Sequence, residues 1–429
     1  MPLPLPFAKN DIVSLSPFGT GAFTALAAFA PLFGKIAGIP ASAFSFPFLL
    51  CAVLALSALG KIRKPPSVVW GALLPMTLIY GFVVINASPE QWEFALDPSR
   101  WGQRHKLYFE SKLLVTSILI VPAIVAALLI VISPDRRKTV TGALVALALL
   151  ASAAGLRVLW EQGGELVATD LLTARNALLA SPSYSIVSYG LLLAVGSLAA
   201  AYFRGGWVAS GFLFFVVALL SRRAEAVAVA GAFIGLFAVF SIRDRGIGAR
   251  GASCLGALVL GGVLVLLFHN EHNQRYFEWM GSGLNVRITM ALQAAKSTGA
   301  EQSQHNMEDD AQRDWIFGVG LGRYREATQT RFDYPHNLGL ELAVEHGAFA
   351  MALYVALVGC PLVMIFVSAF RRQISDPELY CTAILLLVII FCFKASDVSM
   401  LGISGFASTL TLLALSGSPQ SVGTSLMAR

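Results

Sequence analysis

The chain has 429 residues, of which 56% are hydrophobic and only 13% are charged. A soluble domain carries about 25% charged residues, so this chain has too little polar surface for a water-soluble globule of its size. Its net charge of +6 is not accompanied by a basic-aromatic patch or a nucleic-acid motif, which argues against a nucleic-acid partner. We therefore expect an all-α, polytopic integral membrane protein.

Apolar runs of bilayer-crossing length recur along the whole chain. With about 17 to 25 residues needed for each crossing, they predict about twelve transmembrane helices. The N-terminus, MPLPLPFAKND, has no basic region ahead of an apolar core, so we expect the first span, not a cleavable signal peptide, to direct insertion. The predicted spans are residues 18–34, 43–60, 67–86, 113–133, 139–158, 184–203, 206–221, 224–242, 252–269, 348–369, 378–395 and 400–416.

The charged loops set the expected orientation. The short loops 61–66 (KIRKPP) and 133–138 (SPDRRK) are dense in lysine and arginine, as the positive-inside rule requires of cytoplasmic loops. This predicts an inner-membrane protein with both termini in the cytoplasm. The larger outer segments are then 87–112, 159–183 and 270–347, and the last is too long to be a mere connection.

The chain accordingly divides into three parts. An N-terminal transmembrane bundle is expected over residues 1–220, and a core that includes the periplasmic loop 270–347 over residues 221–369. The C-terminal spans and a cytoplasmic tail take residues 370–429.

Several common sites are missing from the sequence. It has no Asp-x-Asp, Walker A, HExxH or GxSxG motif, and His269 and His272 have no clear further ligands nearby. We therefore expect neither a metal site nor a cofactor. The cysteines form no CxxC pair and lie in apolar runs, which indicates small buried hydrophobes: Cys51, Cys254, Cys360, Cys381 and Cys392.

Arginines on the expected outer side are candidates for anion binding. Arg222 and Arg223 lie in the tight turn Ser221–Glu225, where they oppose the positive-inside trend. They either reach toward lipid head groups or form a guanidinium fork for a phosphate-bearing ligand, with Glu225 placed to hold one of them. Arg175 and Arg287 would each be ordinary solvated residues if they stood alone.

Two further elements lie late in the large loop. The run Gly318–Gly322 looks like a phosphate loop, but no strand precedes it, so we interpret it as a flexible turn. Pro335 and Asn337 suit a turn that starts a helix. His336 would lie at the outer end of that helix, where an ordinary pKa near 6.5 suits a general base, and His346 is interpreted as interfacial.

Taken in order, these residues resemble the O-antigen ligase and O-antigen polymerase superfamily of bacterial envelope glycosyltransferases. The resemblance covers about residues 221–369 and depends on four landmarks rather than on one motif. They are Ser221-Arg222, the helix-opening Arg287, the turn from Gly318 to Tyr324, and Pro335-His336-Asn337 with Gly347 eleven positions after the histidine. The polar stretch from Lys296 to Asp314 and the second arginine, Arg223, depart from the family pattern.

The resemblance implies an activity. The donor would be a glycan on undecaprenyl diphosphate, and the acceptor a sugar hydroxyl on lipid A-core or on another lipid-linked repeat. His336 would activate the hydroxyl for attack with inversion, while Arg222 and Arg287 clamp the diphosphate. Arg223 and Arg175 are weaker candidates for the same role, and neither a metal nor a nucleotide would be needed.

Three alternatives remain open at the level of sequence. Ligase and polymerase differ only in their acceptor, and we favour the ligase on the spacing from Pro335-His336-Asn337 to Gly347. The rival from another class is a twelve-span secondary transporter, because Asp244–Arg250 weakly resembles a loop motif of major-facilitator proteins. However, the corresponding loop 61–66 lacks that motif, and the spans contain few charges for ion coupling.

Overall fold

The computed structural model of the protein describes most of the hydrophobic chain. The described residues are 16–36, 67–103, 108–168, 186–219, 223–267, 316–324, 327, 337–371, 374–395 and 400–416. Within these ranges the regular secondary structure is helical, without a strand, and turns join the helices, which agrees with the predicted all-α class.

The helices follow the predicted spans closely. Each span except the second coincides with a helix, and the second, residues 43–60, lies outside the described residues. Two short 3₁₀ segments occur among the described residues, at Ser67–Val69 and at Pro98–Gln103. The α-helices are α1 (Pro17–Ile36), α2 (Trp70–Ile85), α3 (Pro89–Leu96), α4 (Tyr108–Ile132), α5 (Arg136–Ala168), α6 (Ile186–Ala201), α7 (Trp207–Leu219), α8 (Arg223–Arg243), α9 (Ala249–Leu267), α10 (Leu338–Glu345), α11 (Gly347–Arg371), α12 (Asp376–Ala395) and α13 (Leu401–Ser416).

Length and composition identify the membrane-crossing candidates among them. Six helical segments are long and apolar enough to cross a membrane: Ser67–Ile85, Phe109–Ile132, Arg136–Arg157, Ala226–Arg243, Gly347–Phe370 and Asp376–Phe393. Shorter apolar helices occur at Pro17–Phe29, Gly190–Ala201, Trp207–Ala218, Ala249–Val265 and Leu401–Ser416. A helical membrane protein is thus confirmed, while the number of twelve spans stays a prediction.

Apolar side chains on the outside of the bundle agree with a lipid environment. Only 28% of the apolar window of α11 is buried inside the protein. Val363, Phe366 and Phe370 on this helix are 62%, 64% and 78% exposed. Water would penalise such a surface, whereas lipid chains accommodate it, so this face is expected to contact the bilayer.

Small residues let neighbouring helices approach closely. A Cβ atom on Gly21 of α1 would lie 1.8 Å from the carbonyl oxygen of Thr139 in α5, and one on Gly142 would lie 2.1 Å from that of Phe18. The two backbones therefore touch where each helix has no side chain, as is common between membrane helices.

Polar contacts tie the helix ends together at two opposite ends of the bundle. At the first, which we call the arginine end, Asp376 at the start of α12 accepts hydrogen bonds from Arg243 (2.6 Å) and Arg250 (3.0 Å). Arg136 at the start of α5 donates to the carbonyl of Ser416 at the end of α13 (2.5 Å). The second, which we call the lysine end, joins the end of α2, the start of α4 and the helix pair α10–α11 around Lys112.

Candidate functional site

The short helix α10 is the centre of the lysine end because both of its ends are anchored. Asn337 caps it: the side-chain oxygen accepts from the Leu340 amide at 3.0 Å, and the side-chain nitrogen donates to the Phe393 carbonyl of α12 at 2.9 Å. This confirms the predicted helix start at Asn337. The other end of α10 is fixed by charge.

A buried ion cluster fixes that other end. Glu341 and Glu345 lie one helical turn apart on α10, and both meet Lys112 from the first turns of α4. The Lys112 ammonium lies 2.5 Å from Glu341 Oε1 and 2.8 Å from Glu345 Oε1, and the three side chains are 4%, 0% and 0% exposed. Because removing one partner leaves a buried charge uncompensated, this contact holds α10 firmly against α4.

His346, directly after α10, is buried beside the cluster. It is 0% exposed, and its Nδ1 lies 3.5 Å from the side-chain nitrogen (Nδ2) of Asn86. Burial, and secondarily the charge of Lys112, lowers the pKa of His346 from its ordinary value of 6.5 to about 3, so the ring is neutral at physiological pH. Its Nε2 has no hydrogen-bond partner among the described residues. His346 therefore packs inside the protein, directly before α11, while its predicted interfacial depth in the membrane stays a prediction.

The glycine run 318–322 is a turn, as predicted, but it is docked rather than flexible. Its backbone amides donate into the protein: Val319 to the Val344 carbonyl (3.0 Å), Gly320 to the Glu345 carbonyl (3.0 Å) and Gly322 to Glu345 Oε2 (2.9 Å). The Leu321 amide donates to the Asn86 carbonyl at 3.3 Å. These amides are already used, so the turn does not cradle a phosphate directly.

Two glycines make this docking possible. Gly318 has φ +77°, and a Cβ atom there would lie 2.3 Å from the carbonyl carbon of Glu345. Gly347 has φ +80°, and its Cβ would lie 2.0 Å from the Ile316 carbonyl oxygen. Both the left-handed backbone and the lack of a side chain are needed at these positions.

Gln91 completes the lysine end from the segment between α2 and α4. Ser88 and Gln91 form a capping box that starts α3, with Pro89 in the first turn. The buried Gln91 amide then donates to the carbonyls of Phe109 (2.9 Å) and Leu321 (3.0 Å). One side chain therefore joins α3, α4 and the glycine turn.

Most of the predicted site residues cannot be compared with this geometry. His336, Arg222, Arg287 and Arg175 lie outside the described residues, as do His269, His272 and the stretch from Lys296 to Asp314. Arg223 is the first residue of α8, but its side chain lies outside the described part of the chain. Their proximity to one another stays a prediction.

Sequence reasoning missed the residues that build the lysine end. Lys112 was assigned to a polar outer segment, whereas it lies buried near the start of α4. The spacing of Glu341 and Glu345 on one helical face was a usable signal, but their partner is 229 residues from Glu341 in the chain. No group of three or more potential metal ligands occurs within the described ranges.

The cysteines agree with their predicted role where they are described. Cys254, Cys381 and Cys392 are free and buried, and Cys360 is free and partly buried. Cys51 lies outside the described residues.

Comparison of the chain with models of known protein families and with curated proteins finds no match.

Proposed function

We propose that this protein transfers a glycan from undecaprenyl diphosphate to a sugar hydroxyl at the periplasmic face of the bacterial inner membrane. The proposed acceptor is lipid A-core, as for an O-antigen ligase. The supporting observation is that two separated landmarks of the resemblance meet. The turn Gly318–Tyr324 is hydrogen-bonded to the C-terminal half of α10, and Gly347 packs on Ile316.

The proposed orientation follows from charge at the two ends. Around Asp376, the arginine end carries Arg136, Arg137, Lys138, Arg204, Arg243, Arg245 and Arg250. Under the positive-inside rule this end faces the cytoplasm. The lysine end then faces the periplasm, where a lipid-linked donor in the outer leaflet would meet it, and about twelve spans would put both termini in the cytoplasm.

The proposed reaction needs one general base for the acceptor hydroxyl and cationic side chains that bind the leaving diphosphate. His336 takes the proton of the acceptor hydroxyl as its oxygen attacks the anomeric carbon from the side opposite the diphosphate. The bond between that carbon and the diphosphate oxygen breaks, and the leaving diphosphate carries the electron pair. Arg222 and Arg287 stabilise its developing charge, with Arg223 and Arg175 in support.

The buried cluster supports this chemistry as a positioning device. Asn337, the residue after His336, caps α10, and Lys112 holds the far end of the same helix. Fixing α10 therefore restricts where the chain leading into it can lie. A catalytic base must be held within a fraction of an ångström of its working position, so a rigid supporting helix is a functional requirement.

A transporter is the second candidate, since a buried Lys–Glu cluster in a membrane protein can relay ions. However, the cluster lies at the helix ends, near the start of α4 and before α11, rather than midway along the spans. Transporter sites lie near the bilayer midplane, so this position favours the anchoring role.

The deciding experiment uses the full chain reconstituted with lipid-linked glycan and lipid A-core. We expect transfer to be abolished in His336→Ala and retained in the matched control His305→Ala. Arg222→Lys and Arg287→Lys should impair transfer because lysine keeps the charge but cannot form the bidentate fork, whereas Arg204→Lys should be neutral. Normal transfer by His336→Ala would overturn the proposal, and substrate uptake into vesicles indifferent to His336 would favour a transporter.

A strain lacking the protein separates the two transferase reactions. Full-length lipid-linked glycan that accumulates unattached indicates a ligase. Single repeat units capped onto core indicate a polymerase, with a lipid-linked repeat as the acceptor.

A further inference from the structure

A cavity of about 350 Å³ opens at the arginine end, away from the proposed transfer site. It lies between the starts of α5, α9 and α12 and the end of α13. Its wall combines cationic, acidic and apolar side chains, among them Arg136, Arg137, Arg250, Asp376, Val140 and Leu413.

Part of the charge in this cavity is already matched inside the protein. Asp376 is shared by Arg243 and Arg250, and Arg250 also donates to the Tyr202 carbonyl and lies over the Tyr202 ring. Glu378, on the same helix start, accepts from the Ser375 amide at 2.7 Å. These groups form a closed structural network that needs no ligand.

The other two guanidinium groups are not matched by a carboxylate. Arg136 donates to the neutral carbonyl of Ser416, and the side chain of Arg137 has no ion pair or hydrogen bond to any other described residue. Nearby, Asp135 forms its ion pair with Lys138 at 3.3 Å. The cavity therefore presents two adjacent positive charges that can bind an anion.

The surroundings indicate which anion fits. The cavity lies at the ends of apolar helices, where the head groups of a surrounding bilayer are expected, and Val140, Leu413 and Ala414 give it an apolar wall. Basic cavities between membrane helices suit anionic head groups, because the arginines meet the phosphate while the apolar wall meets the glycerol and upper acyl chain.

We propose that this cavity binds the phosphate of an anionic phospholipid through Arg136 and Arg137. The lipid would bridge the start of α5 and the end of α13. This assignment is independent of the glycan-transfer proposal, since it uses other residues at the opposite end of the molecule.

The test measures phosphatidylglycerol binding to the detergent-purified full chain by native mass spectrometry, with phosphatidylcholine for comparison. We expect Arg137→Gln to weaken phosphatidylglycerol binding about fivefold, and Arg136→Gln with Arg137→Gln to weaken it further. Arg204→Gln is the matched control, because Arg204 is exposed in a turn at the same end but does not line the cavity. The exposed side chain of Arg137 forms no hydrogen bond or ion pair with a described residue, so its substitution is expected to leave the fold intact.

Three results would overturn the proposal. The first is unchanged phosphatidylglycerol affinity in the double variant. The second is an equal loss in Arg204→Gln, which would indicate general attraction to a basic surface. The third is that inorganic phosphate binds as tightly as phosphatidylglycerol, which would identify a site for free phosphate instead of a lipid.

Discussion

At the scale of single residues, the lysine end is governed by the cost of burying charge. The Lys112 side chain is 4% exposed, and its ammonium group is stabilised in the interior by the carboxylates of Glu341 and Glu345. His346 avoids the same cost by staying neutral, since its pKa is lowered to about 3. The two residues are neighbours, and both effects follow from the burial of their side chains.

Removing the buried ammonium should therefore destabilise the protein strongly. We expect Lys112→Met to lower the free energy of unfolding by about 3 to 5 kcal/mol, because Glu341 and Glu345 would lose the buried ammonium that both contact. The measurement is thermal or denaturant unfolding in detergent. Adding Glu341→Gln and Glu345→Gln to the same variant should recover part of the loss.

The matched control is Lys138→Met. Lys138 has a 70% exposed side chain and pairs with Asp135 across one helical turn, so its loss should cost less than about 1 kcal/mol. Equal stability of the Lys112 and Lys138 variants would show that the cluster does not anchor α10.

At the scale of elements, α10 is too short to be stable by itself. An isolated helix needs roughly 12 to 15 residues to form in water, and α10 has 8. The helix is stabilised because Asn337 caps one end, Lys112 forms ion pairs near the other end, and the glycine turn packs along its C-terminal half. The turn and the helix therefore form one packed unit, and the positive φ values at Gly318 and Gly347 allow their backbones to approach each other.

Adding a methyl group to the turn should break this unit. Gly318→Ala would force an L-residue into a left-handed conformation and against the Glu345 backbone, so we expect a loss of about 2 kcal/mol or more. Gly231→Ala in α8 is the control, because its Cβ would meet nothing within 4 Å. Thermal unfolding and limited proteolysis would check both variants, and equal resistance would contradict the docked turn.

At the scale of the whole molecule, the buried and half-buried ion pairs around Asp376 and Lys112 lie at the helix ends. The arginine end is held by Asp376 between two arginines, and the lysine end by Lys112 between two glutamates. A bilayer explains this placement, since charge is costly among lipid chains and cheap near the interfaces. The excess of basic residues at one end then sets the proposed orientation.

This orientation can be measured by labelling single cysteines in a cysteine-free background. An impermeant maleimide added to spheroplasts should label Glu93→Cys, at the lysine end, without lysis. Arg204→Cys, at the arginine end, should be labelled only after the membrane is opened. The reverse pattern would invert the topology, and the proposed periplasmic transfer site would then face the cytoplasm.

The sequence by itself determined the membrane class, the helix positions and the start of α10 at Asn337. These features follow from local composition, hydrophobic run length and capping chemistry, all of which lie within a few neighbouring residues. The tertiary structure alone decided that Lys112 pairs with Glu341 and Glu345, that His346 is buried, and that the amides of the glycine turn are occupied. The reason is physical, because these properties depend on residues that are distant in the chain and close in the fold. Lys112, for example, lies 229 residues from Glu341 and 233 residues from Glu345, and a local sequence pattern does not contain such a pairing.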